Sequence, residues 1–179
     1  MTLYVVYVPD TGHVVGAVNA VGVTLPDDAE AESLTGRELP LRVNLGAGEI
    51  ATLPLAAGKL AVHAPDDQPG VFADPLAFGV EQVRDAKPKP ALRELPSWEN
   101  PDLAFTTDSL VVTLPFEVTV QTPVLALVAV GQSVRVLPGS IQAGGESIQL
   151  GVTVTAGFYG VLVLVAGLAG VLTKVEKKA

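Results

Sequence analysis

The sequence predicts an all-β protein whose antiparallel strands form sandwich-like or barrel-like units. Three observations point there. Short apolar runs recur along the chain, punctuated by Gly, Pro, Asn and Asp turn residues. Period-two alternation is clear over 147–155, where Ile148, Leu150, Val152 and Val154 interleave with Gln149, Gly151, Thr153 and Thr155. Composition agrees: of 179 residues 49% are hydrophobic and only 17% charged, with 18 Gly and 14 Pro. That balance excludes a disordered chain or a coiled coil and is ample for a buried core. There are no cysteines, which excludes disulfides, Cys-ligated metals and a cysteine nucleophile.

The elements follow in chain order. Leu3–Val8 is apolar and aromatic, and His13–Val21 is apolar again. Between them Pro9-Asp10-Thr11-Gly12 is a turn with a mechanism: Pro presets φ, Asp bonds its own backbone, and Gly supplies φ > 0. A hairpin over Leu3–Val21 is therefore expected, with Asp10 and Gly12 as its structural turn residues. One short helix is expected near 27–35, because acids crowd its start and Gly36 can stop it. Strand-length pieces follow at Leu39–Leu45, Glu49–Leu55, Lys59–Ala64 and Val71–Val80.

Residues 84–102 change character, with eight charged residues and four prolines in nineteen positions. Pro-rich polar stretches are extended and semi-rigid. The expected organisation is an acidic N-terminal β unit at 1–83, a Pro-rich charged linker or strap at 84–107, and an apolar β-sandwich-like unit at 108–179. Trp98 and Phe105 are the anchors of such a strap, and Trp98 is expected to be buried. Beyond it, Phe116, Val118 and Val120 alternate with Glu117, Thr119 and Gln121, and Val134 and Val136 with Ser133 and Arg135. About seven strands are expected from Ser109 to Thr173, a span with only three charged residues: Glu117, Arg135 and Glu146.

The formal net charge is −8. Residues 1–83 carry eleven acids and three bases, and residues 84–179 carry eight of each, so the whole excess lies in the first half. An acidic chain repels phosphate backbones, and nucleic acid is not an expected partner. The one basic cluster, Arg84, Lys87, Lys89 and Arg93, is broken by prolines and reads as a solvated linker. Met1–Val8 lacks the basic and long apolar regions of a signal peptide, so a cytoplasmic location, or a particle assembled there, is the expectation. The Ala, Val, Gly, Pro and Leu bias is the style of a high-GC genome and suggests a bacterial or phage source.

Each motif that could carry chemistry has a simpler geometric explanation. Asp10-Thr11-Gly12 resembles the tripeptide that carries the catalytic carboxylate of aspartic proteases. That chemistry needs two carboxylates sharing a proton, and no second copy exists in the sequence. Asp27, Asp28, Glu30 and Glu32 lack the spacing of a Ca²⁺ loop. Gly46-Ala47-Gly48 and Ala143-Gly144-Gly145 are not followed by a helix or a Lys-Ser/Thr pair, as a phosphate loop requires. His13 and His63 lie in no hydrolase or zinc motif. No enzyme activity, cofactor or metal is expected.

The C-terminal run Phe158–Leu172 is apolar and is followed by Lys174, Lys177 and Lys178. It reads as two buried strands, because Gly157, Gly160, Gly167 and Gly170 punctuate it. The competing reading is a tail anchor through 156–173. The expected function is a structural subunit of a larger assembly (tube, shell, baseplate or filament) that associates with its own copies or a larger complex through apolar β surfaces. Thr119, Thr153, Phe158 and Tyr159 mark the candidate assembly surface. The alternatives are a soluble β-rich module binding a small apolar ligand or a protein partner, and a tail-anchored protein.

Overall fold

The computed structural model describes residues 1–82 and 85–179. The expected break between 83 and 84, and Arg84 of the basic cluster, lie outside them. The chain is all-β: 49% of it is strand and 8% helix, in several antiparallel sheets. Its contacts divide into two units. Unit 1 is Met1–Leu39, Leu55–Ser97 and Gly167–Ala169, and unit 2 is Pro40–Pro54, Trp98–Ala166 and Gly170–Ala179.

In unit 1, β1 (Thr2–Tyr7) is the centre of a three-stranded sheet. It pairs on one side with β2 (Val14–Ala20) and on the other with the short β5 (Ala61–His63). The hairpin read from the sequence is present, with a bulge opposite Val6 and Tyr7. Leu3, Val5 and Tyr7 alternate onto one face and pack with Val14, Val71, Phe78 and Val80. Each such side chain, taken from water, stabilises the fold by about 1.5–3 kcal/mol.

Two expectations in this half need correction. The helix is a single turn, α1 (Glu32–Thr35), because Pro26 to Ala31 offers no side-chain cap and little apolar surface to bury. Gly36 does terminate it, at φ 70°. The piece Val71–Val80 is mostly not strand. Two 3-10 turns, Pro69–Phe72 and Pro75–Ala77, each begin with proline, which starts a helical turn but cannot donate to a sheet ladder. Only β6 (Phe78–Gly79) pairs, with β7 (Arg93–Glu94). Those two pairs are the strand content of 85–97, whose prolines remove donors.

Unit 2 contains most of the hairpin β3 (Glu38–Gly46) and β4 (Glu49–Ala56), and two further sheets. One sheet has the order β12 (Ser147–Gly151), β9 (Ser109–Thr113), β8 (Asp102–Phe105). The other has the order β11 (Ser133–Ile141), β10 (Thr122–Val130), β13 (Gly157–Val165), β14 (Val171–Lys177). Its register puts Gly139, Val124, Val165 and Tyr159 on one face and Phe158, Gly160, Leu162 and Leu127 on the other. The first face meets the smaller sheet: a Cβ built at Gly139 would lie 2.6 Å from Ile148 Cδ1, and the rings of Tyr159 and Phe105 meet edge-on at 5.5 Å. The second face meets the β3–β4 hairpin at Gly160, where a Cβ would lie 2.7 Å from that of Ala51. Only glycine allows that approach. Gly160 to Val165 are accordingly buried without a break.

The apolar run Phe158–Leu172 thus forms two strands and their turn, which corrects the helical-anchor reading. Among the described residues no helix is long and apolar enough to cross a membrane. The expected alternation at Phe116, Val118 and Val120 is also corrected. Residues 115–121 form an irregular loop in which Val118 is buried while Phe116 and Val120 are 45% and 66% exposed. Pro115 and Pro123 bracket the loop, and Val118 bonds through its backbone to Gly144 and Gly145 instead of to a strand. Six strands therefore fill the stretch expected to hold seven. Trp98 is 8% exposed, as expected of an anchor.

Gly12 has φ +80°, and a Cβ there would approach the Val80 carbonyl oxygen to 2.9 Å. Its own N–H and C=O bond Val8 and Val80. Gly12→Val should therefore lower unfolding free energy by about 1–3 kcal/mol, read by urea denaturation. An unchanged midpoint would contradict this turn.

Candidate functional site

Three places could do something beyond holding the fold. The first is the Asp10-Thr11-Gly12 turn. Asp10 is exposed at its tip, and Thr11 and Gly12 are committed to structure. His13, the next residue, is fully buried. Its Nε2–H donates to the Leu168 carbonyl at 2.6 Å, and its Nδ1 accepts from the Thr11 hydroxyl at 2.9 Å. This is the neutral ring, with both nitrogens occupied. It therefore holds no substrate or metal, and it fixes Gly167–Ala169 within unit 1. Thr11, in the turn, and His13, two residues on, were the available signal, but the distant carbonyl could not be read.

The second place is a cleft of about 400 Å³ in unit 1, lined by Tyr4, Tyr7, Leu25, Asp27, His63 and Lys87 among others. Its polar groups are largely engaged. The Leu25 N–H donates to the Tyr4 hydroxyl at 2.9 Å, and Gln82 Nε2 donates to that of Tyr7 at 2.8 Å. His63 Nε2–H donates to the Lys89 carbonyl at 2.9 Å. Burial raises the Tyr7 hydroxyl above its usual range and lowers His63, with the Lys89 carbonyl and Asp66 pulling His63 back up. Lys87 meets Asp27 at 3.4 Å and Lys89 meets Glu81 at 2.8 Å, so two bases of the expected cluster face acids of the same unit. Asp28, Glu30 and Glu32 line a separate open hollow with Gly58 and Val62. Among the described residues no group of three or more His, Asp or Glu is placed to hold a metal ion.

The third place is a groove of about 390 Å³ in unit 2, on the hairpin-covered side of the four-stranded sheet. Leu45, Ile50, Ala51, Ala129 and Phe158 make its lining mostly apolar, and Glu49 adds a carboxylate. Phe158 stays 52% exposed and Ile50 63% exposed, a poor use of large apolar side chains in an isolated chain. The Lys174 ammonium sits 5.3 Å from the Phe158 ring centroid, a cation–π contact on the rim. Of the four expected surface residues, Thr119, Thr153 and Phe158 are exposed. Tyr159 is half-buried, on the opposite face of β13 from Phe158, and its hydroxyl donates to the Thr155 carbonyl at 2.9 Å. Thr119 lies on the loop at 115–121 and Thr153 lines a different hollow with Asp108 and Arg135, so the groove unites only Phe158 and Tyr159. Ile50 was missed because a lone apolar residue in a hairpin strand gives no sequence signal for exposure.

The pH behaviour of unit 1 follows from the two histidines. Burial holds His13 below its ordinary value of 6.5, against a smaller upward pull from the Leu168 carbonyl, and His63 is lowered too. The unfolded chain then binds protons that the folded chain refuses, so stability is full above the unfolded value and is lost as pH falls through it. Melting temperature should drop between about pH 7 and pH 5, and less steeply in His63→Gln, which leaves the His13 contribution. A flat or rising profile in that window would contradict the neutral, buried His13. Comparison with protein-family models, with curated proteins and with solved structures found no match.

Proposed function

We propose that this chain is a structural subunit that associates with its own copies through apolar β surfaces. The observation that carries the reading is the groove around Phe158 and Ile50. It combines two large, exposed apolar side chains, Phe158 from β13 and Ile50 from the covering hairpin, with Glu49 in the lining and the Lys174 cation over the Phe158 ring. Such a surface gains about 25 cal/mol for each Å² of apolar area removed from water, so covering it stabilises an assembly. Phe116 and Val120, held outward by a loop pinned at Val118, add further apolar surface of the same kind. The acidity of the first half would keep finished particles soluble through mutual repulsion.

The second reading, a module for a small ligand, is favoured by the cleft beside Tyr4, Tyr7 and His63. It predicts a monomer stabilised against heat by that ligand.

Light scattering after size exclusion separates the two. The assembly reading predicts a mass that rises with concentration above the 18.4 kDa of one chain. Phe158→Glu combined with Ile50→Glu should lower that mass while leaving the strand signature in circular dichroism unchanged. A wild-type protein that stays at one chain, or a double variant that keeps the wild-type mass, would contradict it.

A further inference from the structure

We infer that the outer edge of β2 is a second, separate contact, at which two copies of this chain pair β2 against β2 across a two-fold axis. The inference starts from which way the backbone points. Val8 directs both its N–H and its C=O to the turn side of the hairpin, donating to His13 O and accepting from Gly12 N. Alternation along β1 then directs Val6, Tyr4 and Thr2 towards β2, where they sit opposite Gly16, Val18 and Ala20. The intervening residues Ala17 and Asn19 must direct their N–H and C=O away from β1. β2 is the end strand of its sheet. The bridge from His13 to Gly79 precedes it, and the turns Pro69–Phe72 and Pro75–Ala77 pack against it where Val14 and Val15 are buried, so the exposed part of the strand is around Val18 and Asn19. Among the described residues no hydrogen bond engages the outward groups of Ala17 and Asn19.

Of the other edges of the three- and four-stranded sheets, β12 is uncharged over Ser147–Gly151 with Glu146 just before it, and the rest carry devices that block strand addition. β14 carries Lys174, Glu176 and Lys177; β11 carries Arg135 and Pro138; β8 begins with Asp102; β5 is three residues long. β2, seven residues long against five in β12, has none of these. No Asp, Glu, Lys or Arg occurs from Thr11 to Pro26, although this is the half that holds the net negative charge. Val18, Val21 and Val23 are 40%, 76% and 58% exposed along or just beyond the strand.

The occupant that fits is the same strand from a second copy. A foreign partner chosen by charge would be drawn to the acidic residues elsewhere in this half, whereas self-pairing through 16–20 brings no like charges to the seam. The phase also closes on itself. With Val18 on the axis, Ala17 of each copy faces Asn19 of the other in a hydrogen-bonded pair, and the two Val18 residues face each other in a non-bonded pair about 4.5 Å apart at Cα. The result is a six-stranded sheet continuous through two copies, joined by backbone bonds and valine contact. It does not depend on the Phe158 surface. Two separate contacts on one chain are what allow a pair to grow into a larger assembly.

The absence of cysteine makes the register directly testable. Full-length Val18→Cys should form a disulfide-linked dimer under mild oxidation, because facing Cβ atoms in such a pair lie within disulfide reach. Ala20→Cys and Thr153→Cys, which have no self-partner in this register, should react on the order of tenfold more slowly. The Val18→Cys dimer should also form in chains carrying Phe158→Glu and Ile50→Glu, which separates this contact from the other. Chains with Val18→Lys should not pair with one another, and mixing them with Val18→Glu chains should restore pairing. A Val18→Cys chain that crosslinks no faster than Ala20→Cys, or a charge pair whose mixture restores nothing, would overturn the inference.

Discussion

Unit 2 depends on one constraint: strand β13 must be buried on both faces at once. Val161, Val163 and Val165 point to one side and Leu162 and Leu164 to the other, and none is more than 1% exposed. An antiparallel strand usually keeps one face in water and alternates accordingly. Here both faces are covered, by the β8–β9–β12 sheet on one side and by the β3–β4 hairpin on the other, so the sequence must be apolar at every position. Gly160 permits the second cover by letting Ala51 and Val43 approach the strand. β10 shares the demand, and Val124, Ala126, Leu127, Val128 and Ala129 are all buried beside it.

This explains much of the charge map without recourse to assembly. The scarcity of charge from Ser109 to Thr173 reflects two central strands that cannot tolerate any. The surplus that does point to association is smaller and more specific: the exposed Phe158 and Ile50, the loop residues Phe116 and Val120, and the uncharged β2 edge. Unit 1 has its own logic, with β1 at the centre of its sheet and the buried His13 ring held by Thr11 and Leu168.

Much of the fold was legible because it is written locally. Pro9 to Gly12 specified a hairpin turn, and Gly12 indeed takes φ +80°. The alternation Ile148, Leu150, Val152, Val154 matches inward positions that are half-buried or buried. What failed were places where tertiary contacts override local pattern. Val118 has strand alternation on both sides but bonds a glycine turn, so Phe116 and Val120 face water. Val71–Val80 is apolar enough for a strand, but Pro69 and Pro75 begin helical turns. The candidate surface was only half legible, because Phe158 and Tyr159 were read together although neighbours on a strand face opposite ways. Ile50 and the direction of the β2 backbone need the register, which no single stretch of sequence contains.

Hydrogen exchange followed by mass spectrometry tests the central claim most directly. If double-sided burial of β13 organises unit 2, amides in 161–165 and 124–128 should be its slowest to exchange and should open only with the whole unit. Those of the edge strand β11 should open earlier, through local fluctuation. Protection of 161–165 no greater than that of 133–140 would contradict the account.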